Sequence, residues 1–240
     1  MKEDMKYSMN IIIVVGVVAV LVGGALGYVS AMAMNNDTVS KKDAEKTDAV
    51  AMAKTTARTD TKTPAADLRV LLNGLEREHV DLASTAVRNG FDGSADFAAS
   101  AAQLDLNSVG LADAVGSIYG TPARDQFLAI WRSHIGFFVD YTLGAKAGDK
   151  AKMDKAVSNL GGYIDAVSDF FSTANPNLPK DAVKQLVTDH VTLLKAAVDT
   201  YGAKDFTGSY AKQHDAYNQI GTIADAISGA IVKQKPELFK

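Results

Sequence analysis

The chain has 240 residues, 47% of them hydrophobic, and a formal net charge of -3 from 25 Lys and Arg against 28 Asp and Glu. That is ample apolar material for a core, and no basic cluster marks the electrostatic footprint a nucleic acid requires. The absence of cysteine excludes disulfides, thiolate metal sites and cysteine nucleophiles, while leaving the redox compartment open.

A short tail, residues 1–10, precedes the run "IIIVVGVVAVLVGGALGYVSAMAM" at 11–34, which carries 24 residues without a charge. At about 1.5 Å per residue such a helix crosses roughly 30 Å of hydrocarbon, so the segment reads as a transmembrane helix or signal anchor. The alternative is a signal peptide cleaved near Ala33, because "AMA" offers a small-residue processing site. Lysines flank the span on both sides, and the brevity of the tail points to a helical domain on the extracytoplasmic face. Residues 35–63 have no aromatic residue and are rich in Thr, Ala, Lys and Asp, the composition of a disordered linker.

Folded material is expected over 64–240, opening on Thr63 as N-cap with Pro64 at the first helical position. Apolar residues then recur at steps of four and three. The first stripe is Leu68, Leu72, Leu75, His79, Leu82 and Ala86; the second is Phe127, Trp131, His134, Phe138 and Tyr141; the third is Val183, Val187, His190, Leu194, Ala197 and Tyr201. Each places a histidine where a leucine would ordinarily stand. The blocks "EHVDLASTAV", "SHIGFFVDYT" and "DHVTLLKAAV" align without a gap, their histidines 55 and 56 residues apart, and each is followed by a turn and a second helix. The fold class predicted is all-α: six helices as three repeated helical hairpins, a compact bundle or a short solenoid, behind one N-terminal transmembrane helix. Gly120 with Thr121-Pro122, and "NPNLPKD" at 175–181, mark the joins between hairpins, and Asp149 is a candidate cap. The aromatic density of "FLAIWRSHIGFFVDYT" points to helix three as the most buried.

All four histidines fall in core-like positions: His79, His134, His190, and His214 on the stripe Phe206, Tyr210, His214, Tyr217, Gly221. Two readings follow. Buried imidazoles can anchor helix packing by hydrogen bonds, or two or more can converge on copper, zinc, iron or haem, with Glu76, one turn before His79, as an additional ligand. The di-iron signature is absent, since Trp131 and Val187 occupy the positions equivalent to Glu76. Acids recur on the return helices as Asp113, Asp165 and Asp225, and are read as ion-paired or surface groups rather than histidine-orienting ones. No nucleophile elbow or phosphate loop appears, so no catalytic residue is assigned.

The segments "LEREHVDLA", "SIYG", "WRSHIGFFVDYT" and "GAIVKQKPELF" together resemble a family of uncharacterised bacterial exported or membrane-anchored helical proteins, some loosely labelled copper amine oxidase-like. The likeness spans most of 68–239 and implies an exported helical domain, with no established activity. Relatives of that kind carry further histidines in the last helix, where this chain has Tyr217 and Gln219. The functional expectation is a membrane-anchored extracytoplasmic binding or structural module, in contact with the membrane through 11–34 and with an envelope or protein partner. The alternative is a metal- or haem-binding protein using the buried histidines.

Overall fold

The computed structural model describes residues 61–240. The tail, the apolar run at 11–34 and all but the end of the linker lie outside the described residues, among which no helix is long and apolar enough to cross a membrane.

Six helices follow one another: α1 (Pro64–Asp92), α2 (Phe97–Tyr119), α3 (Thr121–Ala147), α4 (Lys150–Ala174), α5 (Lys180–Gly202) and α6 (Phe206–Gln234), with a closing 3-10 turn at Pro236–Phe239. The described residues contain no strand, so the expected all-α class is borne out. Local chemistry fixes the ends. The Thr63 hydroxyl accepts from the Ala66 N–H at 3.1 Å ahead of Pro64 at the first position, and the Asp149 carboxylate accepts from Lys152 N at 3.0 Å to start α4. Gly93 and Gly148 end α1 and α3 at φ 72° and 68°, left-handed values that a Cβ would strain.

Within each hairpin the two helices pack together, α1 on α2, α3 on α4, α5 on α6. Between hairpins α2 meets α3, α4 meets α5, and α6 returns to α1, so the unit closes into a ring. A closed bundle is therefore what forms, and not a solenoid. Inside the ring α1, α3 and α5 also touch one another. Because alternate helices of successive hairpins run the same way, these three are mutually parallel and share the axis. The expectation that helix three is the most buried needs that correction: α1, α3 and α5 share the centre.

The repeated acids sit on the seams. Asp113 pairs with Arg124 from α2 to α3, Asp165 with Lys184 from α4 to α5, and Asp225 with Arg69 from α6 to α1, each at 2.6 Å. All three carboxylates are substantially exposed, so they set the register of neighbouring hairpins more than they stabilise it, and none orients a histidine.

The main core runs through all six helices, with Phe127, Trp131, Phe170 and Phe171 against Leu160, Ile220 and Ile227. Alanines and serines with no exposure, Ala112, Ala216, Ala224, Ser108 and Ser168, let backbones approach where helices cross. A second, smaller cluster of Tyr141, Ala156 and Val198 lies apart from the first, toward the C-terminal ends of the axial helices.

Candidate functional site

The stripes that predicted the helices also aim their histidines. On α3 every stripe residue from Phe127 to Tyr141 is buried, and on α5 Val183, Val187, His190 and Leu194 are. On α1 Leu68, Leu72, His79 and Ala86 are buried while Leu75 and Leu82 are only partly so, because the inward face is shifted to include Glu76 and Val80. Three parallel helices with a histidine at one level then deliver three imidazoles to the axis. His79 lies 5.4 Å from His134 and 6.1 Å from His190, centroid to centroid. They retain 1%, 2% and 5% of their exposure, and Glu76, on the same face of α1, retains 3%.

Aromatic rings box the cluster. Trp131 stands 5.0 Å from His79 and 4.7 Å from His134, whose other face stacks on Tyr163 at 4.5 Å. The ring nitrogens of Trp131, His79 and His190 have no hydrogen-bond partner in good geometry and His134 has none at Nδ1, although the Trp131 backbone lies close enough to favour protonated His134. Eight buried polar atoms here have none from the chain: Oε2 of Glu76, both ring nitrogens of His79 and of His190, Nδ1 of His134, Nε1 of Trp131 and Oε1 of Gln219. Gln219 lies close enough to favour protonated His190, yet its Oε1 has no partner in good geometry while its Nε2 donates to the Leu186 carbonyl at 2.8 Å.

Electrostatics follow from the burial. Loss of water lowers His134 to about 3 and His190 to about 4, the Gln219 amide working against the second shift. His79 falls well below its ordinary value through burial first and the other two histidines second. Desolvation raises Glu76 to about 8, and burial with the nearby Glu76 raises Tyr163. At pH 7 the site thus holds three neutral imidazoles and a mainly protonated carboxyl, with no ion pair among them.

An unpartnered buried polar atom costs about 1–3 kcal/mol, and whole domains are stable by only about 5–15 kcal/mol. Eight such atoms at one place are a large fraction of that, so the cluster calls for donors or acceptors from outside the chain. Imidazole and carboxylate are ligands for zinc, copper, iron or nickel. With about 2.0–2.1 Å from ion to nitrogen and about 1.1 Å more to the ring centre, two imidazoles on a tetrahedral ion have centroids about 5 Å apart. The observed 5.4 Å and 6.1 Å are near that value. Among the described residues no group of three His, Asp or Glu side chains is placed to hold a metal ion as it stands, so coordination here would require the rings to move.

Haem does not fit. The cavities on the two sides of the histidine layer measure about 50 Å³ and about 30 Å³, far smaller than a porphyrin. His214 does not belong to the site either, contrary to its stripe. It is exposed on α6 and shares a 2.9 Å contact with Asn218, while Phe206 and Tyr210 beside it are 51% and 59% exposed. The buried face of α6 is Ser209, Ala216, Ile220, Ala224, Ile227 and Ile231. Sequence reasoning missed Gln219 as a neighbour of His190, and only its helical spacing from Ala216 and Ile220 could have placed it at the edge of that face.

Comparison with protein-family models, curated proteins and solved structures gives no match to this chain.

Proposed function

We propose that this chain is a membrane-tethered helical module whose folded domain binds one transition-metal ion through His79, His134 and His190, with Glu76 as the fourth ligand. The apolar run at 11–34 motivates the tether. The observation that carries the metal reading is the layer of orphaned buried donors and acceptors at the meeting point of three parallel helices. Neutral imidazoles are already in the ligating state, and a single carboxylate offsets part of the charge of a divalent ion. Gln219 Oε1 would accept from the free nitrogen of His190 and fix its tautomer, the usual outer support of a metal-bound histidine.

The test is metal content and affinity of the full chain in detergent, purified without a tag and stripped with chelator. One equivalent of zinc or cobalt(II) is expected to bind, with a visible ligand-field band for cobalt. A hundredfold excess of zinc over Kd should add about 2.7 kcal/mol of stability, read as a rise in Tm. His134→Gln and His190→Gln should each lose the band. Less than about a tenth of an equivalent of zinc, cobalt, copper, iron or nickel would leave the histidines as packing groups only.

A further inference from the structure

The seam between α1 and α6 holds two guanidinium groups that no carboxylate pairs with. Of the arginines in 64–240, Arg69, Arg124 and Arg132 each meet an aspartate at 2.6 Å. Arg77 and Arg88 form no ion pair among the described residues. Both lie on α1 over tyrosines of α6, Arg77 at 4.8 Å from the Tyr217 ring centre and Arg88 at 4.0 Å from that of Tyr210. Arg88 also donates to Gln213 at 2.6 Å, whereas the Arg77 guanidinium makes no hydrogen bond to the described residues. Gly221 makes room for it: a Cβ there would stand 2.6 Å from one Arg77 nitrogen.

Two open hollows flank the Arg77–Tyr217 pair along the seam. One, of about 360 Å³, lies among Arg69, Asn73, Arg77, Asn218 and Thr222; the other, of about 300 Å³, among Asp81, Tyr210, Gln213 and His214. The carboxylates present are already engaged, Asp225 by Arg69 and Asn73, and Asp81 by the Gln213 amide. Three arginines against two carboxylates make this groove positive, on a domain where 17 Lys and Arg stand against 21 Asp and Glu over 65–240.

We infer that the groove binds an extended acidic polypeptide segment, whose carboxylates sit on Arg77 and Arg88. A guanidinium stacked on an aromatic face keeps its N–H edge for a two-point contact with a carboxylate, and its planar fork loses little freedom in making one. Arg77 and Arg88 are eleven residues apart, about 16 Å along α1, which is the span of about five residues of extended chain at about 3.3 Å each. An isolated anion would use one arginine; a chain of acids uses both. Exposed Asn218 and Thr222 add hydrogen-bonding groups for a main chain laid along the groove. None of these side chains belongs to the histidine layer, so binding here is independent of a metal at the axis.

Fluorescence anisotropy of a labelled, end-capped oligoglutamate with the full chain in detergent tests this, beside oligoglutamine and an oligogalacturonate of matched charge. Oligoglutamate should bind saturably at physiological ionic strength and weaken as salt is added. Arg77→Gln and Arg88→Gln should each weaken it by about tenfold or more, and Arg124→Gln, whose guanidinium pairs with Asp113 on another seam, by less than about twofold. If Arg77→Gln does not fold, Arg77→Lys keeps the charge and loses the fork, and should still weaken binding by about threefold or more. Oligoglutamate held no more tightly than oligoglutamine, or weakened as much by Arg124→Gln as by Arg77→Gln, would overturn the site. Tighter binding of oligogalacturonate through the same two arginines would overturn a polypeptide as its occupant.

Discussion

Replacing His190 by leucine in the metal-free protein should stabilise it. Both ring nitrogens of His190 are buried without a partner in good geometry, at about 1–3 kcal/mol each, and a volume-conserving swap to an apolar side chain costs under about 1.5 kcal/mol. Two such atoms at the low end, about 2 kcal/mol together, less that cost leave a net gain of at least about 0.5 kcal/mol at pH 7. The gain must grow in acid. His190 has a folded pKa of about 4 against 6.5 in the unfolded chain, so between those values the unfolded state binds the extra proton. Wild-type stability is complete above 6.5 and falls with pH toward 4, where this residue alone accounts for about 3 kcal/mol that the leucine variant does not lose. Urea denaturation of both proteins at pH 7 and pH 4, with equal m-values, measures the difference. A variant that is less stable than wild type by more than about 2 kcal/mol at pH 7, with an unchanged pH slope, would show that the imidazole is satisfied by the fold and would refute the reasoning. Zinc should raise the stability of wild type and not of the variant.

Glu76 is expected to release its proton when a metal binds. With a pKa raised to about 8 it is about nine-tenths protonated at pH 7, so calorimetry in buffers of different ionisation enthalpy should give close to one proton per zinc, and E76Q close to none. His214→Ala should change stability by less than about 0.5 kcal/mol and leave zinc affinity as it was, because the ring is exposed and remote from the axis. Gly144→Ala should destabilise by about 1–3 kcal/mol in thermal or urea unfolding, since the new Cβ would stand 2.9 Å from Met153 Cγ and 3.2 Å from the Asp149 carbonyl where α3 turns into α4.

The hairpins were legible because each carries its own caps and a stripe at helical spacing, and both signals are local. "EHV", "SHI" and "DHV" placed His79, His134 and His190 facing inward, and all three are buried. Convergence was not legible, because it depends on α6 closing onto α1, a contact between the two ends of the domain that no local pattern encodes. The same closure accounts for the burial of Glu76, which sequence could place one turn from His79 but not shut away from water. His214 misled for a different reason. The aromatic stripe of α6 faces outward, where Tyr210 and Tyr217 lie under the guanidinium groups of Arg88 and Arg77 at 4.0 Å and 4.8 Å. The inward stripe mixes isoleucines, Ile220, Ile227 and Ile231, with the small residues Ser209, Ala216 and Ala224 that close helix contact selects, and it carries no aromatic residue to mark it.

Ring closure also decides what a repeated histidine can do. In an open array, equivalent residues of successive hairpins are displaced along the stack and never meet. In a closed ring of three, equivalent residues on the inner helices must meet at the axis, and the seam pairs Asp113–Arg124, Asp165–Lys184 and Asp225–Arg69 hold the hairpins in the register that brings them level. One turn earlier the repeat is broken: Glu76, Trp131 and Val187 occupy the equivalent positions. Three copies of glutamate there would gather three carboxyls in a space where even one is driven to about 8. One carboxyl among an indole and a valine leaves a layer that is neutral as it stands, and on the proposed metal reading it would have to lose only a single proton to receive an ion.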